Sequence, residues 1–231
     1  EYGARAGFWR LRRIFTEAQV PVTVYGVGMA LERTPEAAAA MVEADWEVAG
    51  HGYRWIDYRE VSEEIERAHL TQCIDAIATT TGARPVGWFS GRRSVNTRRL
   101  VVEEGGFLYD SDGYSDDLPY WNTDHGRPHL VVPYSRNNND LRFGTGGVYT
   151  AGDFFAYLRD SFDTLYAEGA EHPKMMTIGL HNRLIGRPGR AGAILRFLDH
   201  AQAHDRVWFA RRREIAEHWH ARHPYEASAP Q

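Results

Sequence analysis

Two histidines stand at the ends of short apolar runs and are the first candidates for chemistry. His51 lies in VAGHGYRW (48–55), and His181 ends the run TIGLH (177–181). Imidazole is the side chain that ordinarily gains and loses a proton near neutral pH, so this pair is suited to moving protons or orienting a water molecule. The alternative for each histidine is that it only hydrogen-bonds a neighbouring loop.

The position one helical turn after His51 decides whether a metal is expected there. A metal-dependent hydrolase would place a second histidine at that position, and this chain has Trp55 instead. Zinc sites in proteins use three or four protein ligands. We therefore predict no metal at His51.

Arginine and tryptophan side chains near the same strand ends could bind a flat polar substrate. Arg92, in FSGRRS, could donate its planar guanidinium to a carbonyl or ureide oxygen. Trp55 and Trp88 could form walls around a small ring and exclude water. The alternatives left open are a solvated loop arginine and two aromatic residues of the core.

Composition excludes several classes of protein. The net charge of −4 gives no reason to expect a nucleic acid or a membrane surface as a partner, and no apolar run is long enough to cross a bilayer. The single cysteine, Cys73, excludes an internal disulfide framework and fits a cytoplasmic location. No Gly-x-Gly-x-x-Gly turn opens a helix after a strand, so no dinucleotide cofactor is predicted.

Helical and strand patterns alternate along the chain, which predicts an α/β fold. Thr34 and Pro35 begin a helix over 34–45, and Ser62 and Gly82 bound another over 61–82. Between the helices, apolar runs such as VTVYGVG, KMMTIGLH and VWFARR predict about seven strands in a mainly parallel sheet. The RRR run at 211–213 is expected to be a solvated helix start. A helix begins the chain, so we expect a first strand to lie before residue 1.

The candidate residues lie at the carboxyl ends of predicted strands, where a (β/α) barrel places its active site. An open doubly wound sheet is the structural alternative. Four segments, in order, carry the residues of interest: GHGYRW (50–55), GARPVGWFSGR (82–92), YDSDGYSDD (109–117) and IGLHNR (178–183).

The order of these segments resembles the polysaccharide-deacetylase-like superfamily, carbohydrate esterase family 4. The long runs GARPVGWFSGRRSVNTRRLVVEEGGFLYDSDGYSDDLPYW and PKMMTIGLHNRLIGRPGR look like its metal-independent allantoinase branch. The resemblance implies a single catalytic domain over 1–231 with the deformed (β/α) barrel of this superfamily. It also implies a hydrolase that opens the ring of a cyclic ureide, with allantoin to allantoate in purine breakdown as the best match, and that needs no cofactor.

The resemblance extends to site residues and assembly. Arg84 would hold a carboxylate, with Asp110, Asp112 or a residue before the present start as its partner; the alternative is a surface arginine. A homo-oligomer, such as a tetramer, is also implied. A cyclic imide hydrolase, a metal-dependent polysaccharide N-deacetylase and an inactive family member remain as alternatives. The predicted catalytic residues are His51, His181, Arg84 and Asp112, and the predicted substrate-binding residues are Trp55, Trp88, Arg92 and Asp110.

Overall fold

A computed structural model describes residues 1–226, and the chain divides into two compact units. The helical unit comprises Glu1–Pro21 and Ser135–Phe209, and the sheet unit comprises Val22–Tyr134 and the segment from Ala210 onward. No helix within residues 1–226 is both long and apolar enough to cross a membrane.

The sheet unit is built on six strands, of which all but one run parallel. The strands are β1 Thr23–Gly26, β2 Glu47–Gly50, β3 Gly87–Trp88, β4 Tyr109–Asp110, β5 Tyr120–Asn122 and β6 His129–Val131. Their order across the sheet is β1-β2-β3-β4-β6-β5, and among these described strands only the β5–β6 pair is antiparallel. The register pairs Gly50 of β2 with Trp88 of β3, and Trp88 with Asp110 of β4, so the carboxyl ends of these three strands are neighbours.

Helices connect β1 to β2, β2 to β3 and β3 to β4, and several helix ends lie where the sequence predicts. The helices of this unit are α2 Gly28–Arg33, α3 Pro35–Glu43, α4 Glu63–Thr81, α5 Thr97–Glu104 and α9 Arg212–Arg222. The helix α4 begins after Ser62, whose hydroxyl accepts a hydrogen bond from Ile65 N at 3.4 Å, and it ends at Gly82, which adopts a φ of +79°. A left-handed residue at that position favours glycine because it has no Cβ.

A buried arginine anchors the last helix of the sheet unit. Arg212 is 6% exposed, and its guanidinium donates hydrogen bonds to Ser111 Oγ and to the carbonyls of Val132 and Pro133 at 2.8–3.0 Å. The prediction of a solvated RRR run is therefore wrong for Arg212. An arginine can be buried here because its fork of N–H groups satisfies carbonyls that the end of β6 leaves free.

The helical unit has a core formed between three helices. A π-helical turn at Gly3–Gly7 leads into α1 Phe8–Glu17, and α7 Ala151–Glu168 packs against α8 Pro188–Gln202; a short helix, α6 Arg142–Thr145, precedes α7. Thr150 caps α7 in a reciprocal pair of hydrogen bonds with Asp153. The core is formed mainly by Leu11, Ile14, Phe154, Leu158, Ile185, Ile194 and Phe197.

Two predicted strands are wrong. Within KMMTIGLH the backbone pairs at a single bridge, between Gly179 and Asn139, and VWFARR forms no ladder within the described chain. The apolar side chains Met176, Ile178 and Leu180 nevertheless pack against the core of the helical unit. Burial alone therefore accounts for the apolar pattern that suggested a strand.

Candidate active site

His181 is held by a buried carboxylate in the helical unit. Asp140 is fully buried, and its Oδ1 lies 2.6 Å from His181 Nδ1. Its Oδ2 accepts hydrogen bonds from the backbone N–H groups of His181 at 2.8 Å and Ile185 at 3.0 Å. A carboxylate that accepts from Nδ1 leaves the lone pair of the neutral imidazole on Nε2, which is the arrangement of a general base.

His51 has a comparable tautomer but a neutral partner. It directly follows β2 in the sheet unit, and its Nδ1 contacts the carbonyl oxygen of Phe89. The imidazole stacks on the Phe89 ring, with centroids 5.3 Å apart and planes 10° from parallel. A carbonyl can only accept, so Nδ1 carries the proton of the neutral ring and the lone pair lies on Nε2. Both predicted histidines therefore have an oriented ring.

Asp112 fixes the loop that follows β3. It is 2% exposed, and its two carboxylate oxygens accept the backbone N–H groups of Ser90 at 2.7 Å and Gly91 at 3.0 Å. Burial raises the pKa of Asp112 to about 6; the negative charge of Asp110 adds to this rise, and the two backbone hydrogen bonds oppose it. This loop continues into Arg92, so Asp112 positions a predicted substrate-binding residue.

Asp110 is paired inside the sheet unit. Arg98 donates from Nε at 2.9 Å and from Nη2 at 3.1 Å, and His129 Nε2 lies 3.2 Å away. Burial acts to raise the pKa of Asp110, but the contact with His129 and the hydrogen bonds from Arg98 outweigh it and lower the pKa. Oδ1 of Asp110 also accepts a hydrogen bond from the backbone N–H of Asp112 at 2.8 Å. These donors use the lone pairs of the carboxylate, which contradicts the prediction that Asp110 binds substrate.

The expected partner of Arg84 is also corrected. Arg84 donates to both oxygens of Glu104 at 2.9 and 3.0 Å, and its guanidinium lies 5.6 Å from the Phe107 ring centre. The pair is partly exposed. Arg98, on α5, makes the contact with Asp110, one of the three partners that the sequence left open for Arg84. Arg84 is therefore a surface ion-pair residue, the alternative that the sequence left open.

Trp55 and Arg92 are brought together, whereas Trp88 is not part of this surface. The guanidinium of Arg92 lies 4.2 Å from the centre of the Trp55 ring, and 48% of Trp55 is exposed. Trp88 is buried, donates from Nε1 to Ser90 Oγ at 2.9 Å, and packs edge-on against Phe107. The prediction that Trp88 forms a wall for a substrate is contradicted by this core position.

The described residues around His51 do not fit a metal site. Within residues 1–226, no set of three His, Cys, Asp or Glu side chains close enough to share one ion includes His51 or His181. Trp55 occupies the position of the second histidine and carries no metal-binding atom. These residues therefore do not support a catalytic step through a metal at His51.

Sequence reasoning missed two residues that hold predicted site residues, one in each unit. Asp140 lies in the polar run NNND, which is typical of a loop, and Arg98 lies on a helix in a run of charged residues. The available signal for Asp140 was weak: a carboxylate on a loop that could reach the histidine at the end of another segment. Only the tertiary structure shows that Asp140 is buried against His181.

Comparisons with known proteins agree with the fold. Residues 1–106 match the sequence pattern described as polysaccharide deacetylase. A Schizosaccharomyces pombe protein that bears a polysaccharide deacetylase name is 42% identical, over 98% of this chain and 77% of its own length. The structure of a probable polysaccharide deacetylase from Pseudomonas aeruginosa PAO1 is 55% identical with a TM-score of 0.96, over 98% of this chain and 76% of that one.

A second solved structure, that of Puue allantoinase, is equally similar. It is 55% identical with a TM-score of 0.95, and the similarity covers 98% of this chain and 76% of that chain. The predicted α/β fold of the polysaccharide deacetylase type is confirmed by these similarities.

Proposed function

We propose that this protein, which belongs to the polysaccharide deacetylase family of hydrolases, opens the ring of a cyclic ureide by hydrolysing an amide C–N bond. Allantoin is the proposed substrate and allantoate the product. Similarity to Puue allantoinase along nearly the whole chain supports this choice. The structural observation that carries it is Trp55, an exposed aromatic that stacks with Arg92 where a metal ligand would otherwise stand.

The chemistry of such a ring suits a site without a bound metal. A hydantoin carbonyl is flanked by electron-withdrawing nitrogen and carbonyl groups, so it is more electrophilic than the acetamide of a sugar. A water molecule activated by a general base, with donors placed for the developing oxyanion, can then attack it. The C–N bond breaks, and the departing nitrogen takes up a proton.

We assign to His181 the role of the general base that removes a proton from water. Its Nδ1 is fixed by the buried carboxylate of Asp140, 2.6 Å away, which also stabilises the imidazolium that forms when Nε2 takes up the proton. The same imidazolium can then return the proton to the leaving nitrogen. His51 is assigned a second role in handling protons or orienting water, because its ring is fixed through Nδ1 by a neutral carbonyl rather than by a charge.

Arg92 and Trp55 are proposed to hold the flat ureide. A guanidinium stacked on an indole presents a planar set of N–H donors, and such donors match the carbonyl oxygens of a ureide better than a lysine would. Asp112 contributes by fixing the backbone of the loop through Ser90 and Gly91. We also propose a cytoplasmic location, with which the single buried thiol of Cys73 is compatible, and a homo-oligomeric assembly.

The test is ring opening of racemic allantoin by the full-length protein, with and without a strong chelator. His51→Ala and His181→Ala are compared with His172→Ala, an exposed histidine in the same chain. Allantoate formation that survives the chelator and falls by a factor of about 100 or more in either of the first two variants supports the proposal. Turnover of a cyclic imide but not of allantoin would move the substrate and keep the mechanism.

A second function is favoured by the name of the Schizosaccharomyces pombe relative, which is that of a polysaccharide deacetylase. Release of acetate from N-acetylglucosamine oligomers, abolished by the chelator, would establish that function and overturn the proposal. If neither substrate class is turned over by a folded protein, the inactive alternative is correct.

A further inference from the structure

Three potential metal ligands converge where α7 and α8 pack together in the helical unit. Asp163 lies on α7, His200 lies in the last turn of α8, and His204 follows four residues later. One ligand atom from each lies within 4.8 Å of the other two. We propose that Asp163, His200 and His204 bind a Zn²⁺ ion that links these two helices.

The hydrogen bonds already present orient the ligands. Nε2 of His200 lies 2.6 Å from Oδ1 of Asp163, and Nδ1 of His204 lies 2.9 Å from the carbonyl oxygen of His200. A carbonyl only accepts, so the proton of His204 is on Nδ1 and the lone pair is on Nε2. A metal ion would replace the proton that His200 shares with Asp163. The His204 contact is the kind of outer hydrogen bond that fixes the tautomer of a ligating histidine.

Packing makes the arrangement rigid. The ring of Phe162, next to Asp163 on α7, meets His200 and His204 edge-on, with centroids 5.6 and 5.1 Å away. Phe162 also belongs to the core in which α7 packs against α8. The two imidazoles therefore have an apolar wall on one side, whereas Asp163 is nearly half exposed and leaves a path for the ion from solvent.

The donor set selects the class of ion. Two imidazoles and one carboxylate are typical zinc ligands, and a water molecule completes a tetrahedral set when three protein ligands are present. Mg²⁺ and Ca²⁺ prefer oxygen ligands throughout, so they fit poorly. An ion pair between His200 and Asp163 would account for two of the three side chains, but it would not require His204 to approach the same point.

The proposal is independent of the hydrolytic function, because none of its residues is assigned to turnover. The test uses the full chain without an affinity tag, stripped with a chelator and then freed of it, and titrated with ZnCl₂ by calorimetry. Asp163→Asn and His204→Gln are the informative variants, and Asp163→Asn replaces a side chain that is nearly half exposed. His218→Gln, in α9, is the matched control for other surface histidines, and His51→Ala is the control for the active-site region.

One equivalent of zinc should bind, and thermal unfolding should shift upward by about 5–10 °C at a free zinc concentration of about 100 times Kd. Loss of a ligand should weaken binding by about 100-fold or more, beyond the usual effect of losing an outer hydrogen bond. Zinc binding and the upward shift of thermal unfolding should be retained in the two control variants, and neither should be seen when MgCl₂ replaces ZnCl₂. Absence of saturable binding at about 100 μM zinc, or binding unchanged in Asp163→Asn and His204→Gln, would overturn the site.

Discussion

Replacement of Asp140 by Asn should leave the fold intact and remove most of the turnover. The reason lies in how the two carboxylate oxygens are used. Oδ2 accepts two backbone N–H groups, from His181 and Ile185, whereas Oδ1 faces only the imidazole of His181. An asparagine has one oxygen to offer, and directing its NH₂ group at two buried N–H donors would cost about 1–3 kcal/mol for each of them.

The asparagine oxygen is therefore expected to take the place of Oδ2, and its NH₂ group then faces Nδ1 of His181. Nδ1 must become the acceptor, so the proton of the neutral ring moves to Nε2. That is the nitrogen whose lone pair would remove a proton from water. A base with the wrong tautomer and no neighbouring charge should lower kcat by about 10²–10⁴, the range known for general bases and for a serine protease triad altered in the same way.

The effect on stability should be smaller. The Asp140 carboxylate makes three charge-assisted hydrogen bonds, and the variant keeps them as neutral ones. The expected loss is about 1–2 kcal/mol in the free energy of unfolding. Urea denaturation measures this loss, and ¹⁵N NMR of the imidazole ring reports which nitrogen of His181 carries the proton.

Asp160→Asn is the matched control, because Asp160 lies on the surface of α7 and pairs only with the neighbouring Arg159 in the contacts described. It should leave kcat and the His181 tautomer unchanged. A folded Asp140→Asn protein whose kcat stays within about threefold of the natural protein would refute the assignment of His181 as a carboxylate-oriented base. A shifted tautomer with full activity would have the same meaning, and an unshifted tautomer would refute the hydrogen-bond argument itself.

Other consequences concern the sheet unit. The pKa of Asp112 is raised from 3.8 to about 6, so protonation of this side chain favours the folded state. The contribution, about 3 kcal/mol in the free energy of unfolding, is complete below about pH 4 and is lost as the pH rises to about 6. The midpoint of urea denaturation should therefore change less with pH over this interval in Asp112→Asn than in the natural protein. Arg98→Leu leaves Asp110 buried without its main partner and should cost about 3–5 kcal/mol, whereas Arg84→Ala should cost less than about 1 kcal/mol in the same denaturation assay. Arg92→Lys should raise KM for allantoin several-fold with little change in kcat, and a larger loss in kcat than in KM would contradict a binding role.

The sequence correctly predicted those helix ends that depend on one or two neighbouring residues. The boundaries of α4 follow from the hydroxyl of Ser62 and the left-handed Gly82, and Pro35 marks the first turn of α3. The strand prediction for KMMTIGLH is wrong because an apolar pattern indicates burial, whereas a strand also requires a neighbouring backbone with which to pair. In the structure only Gly179 finds such a neighbour.

The choice between Arg84 and Arg98 shows what local signals could not predict. Either arginine precedes the carboxylates of YDSDG by a plausible distance in the chain. Arg98 is the one that reaches Asp110 because α5 turns that face toward β4, a matter of how helix and sheet pack. Arg84 lies before β3, next to Pro85, and pairs with Glu104 at the end of α5 instead. The histidines were predictable because each follows an apolar run, and the carboxylate that orients His181 was not.

Asp112 and Asp140 are both buried carboxylates, and their donors separate their roles. Asp112 accepts hydrogen bonds from two backbone N–H groups and so fixes the loop after β3. In the contacts described, its carboxylate does not contact a histidine that is assigned to proton transfer. Asp140 accepts hydrogen bonds from two backbone N–H groups and contacts the imidazole of His181, so it orients the ring that is assigned to proton transfer. Asp112→Asn should therefore act mainly on KM, through displacement of the loop that carries Arg92, and Asp140→Asn mainly on kcat. Steady-state kinetics of both variants on one substrate distinguish these roles, and equal effects on kcat would show that Asp112 takes part in the chemistry.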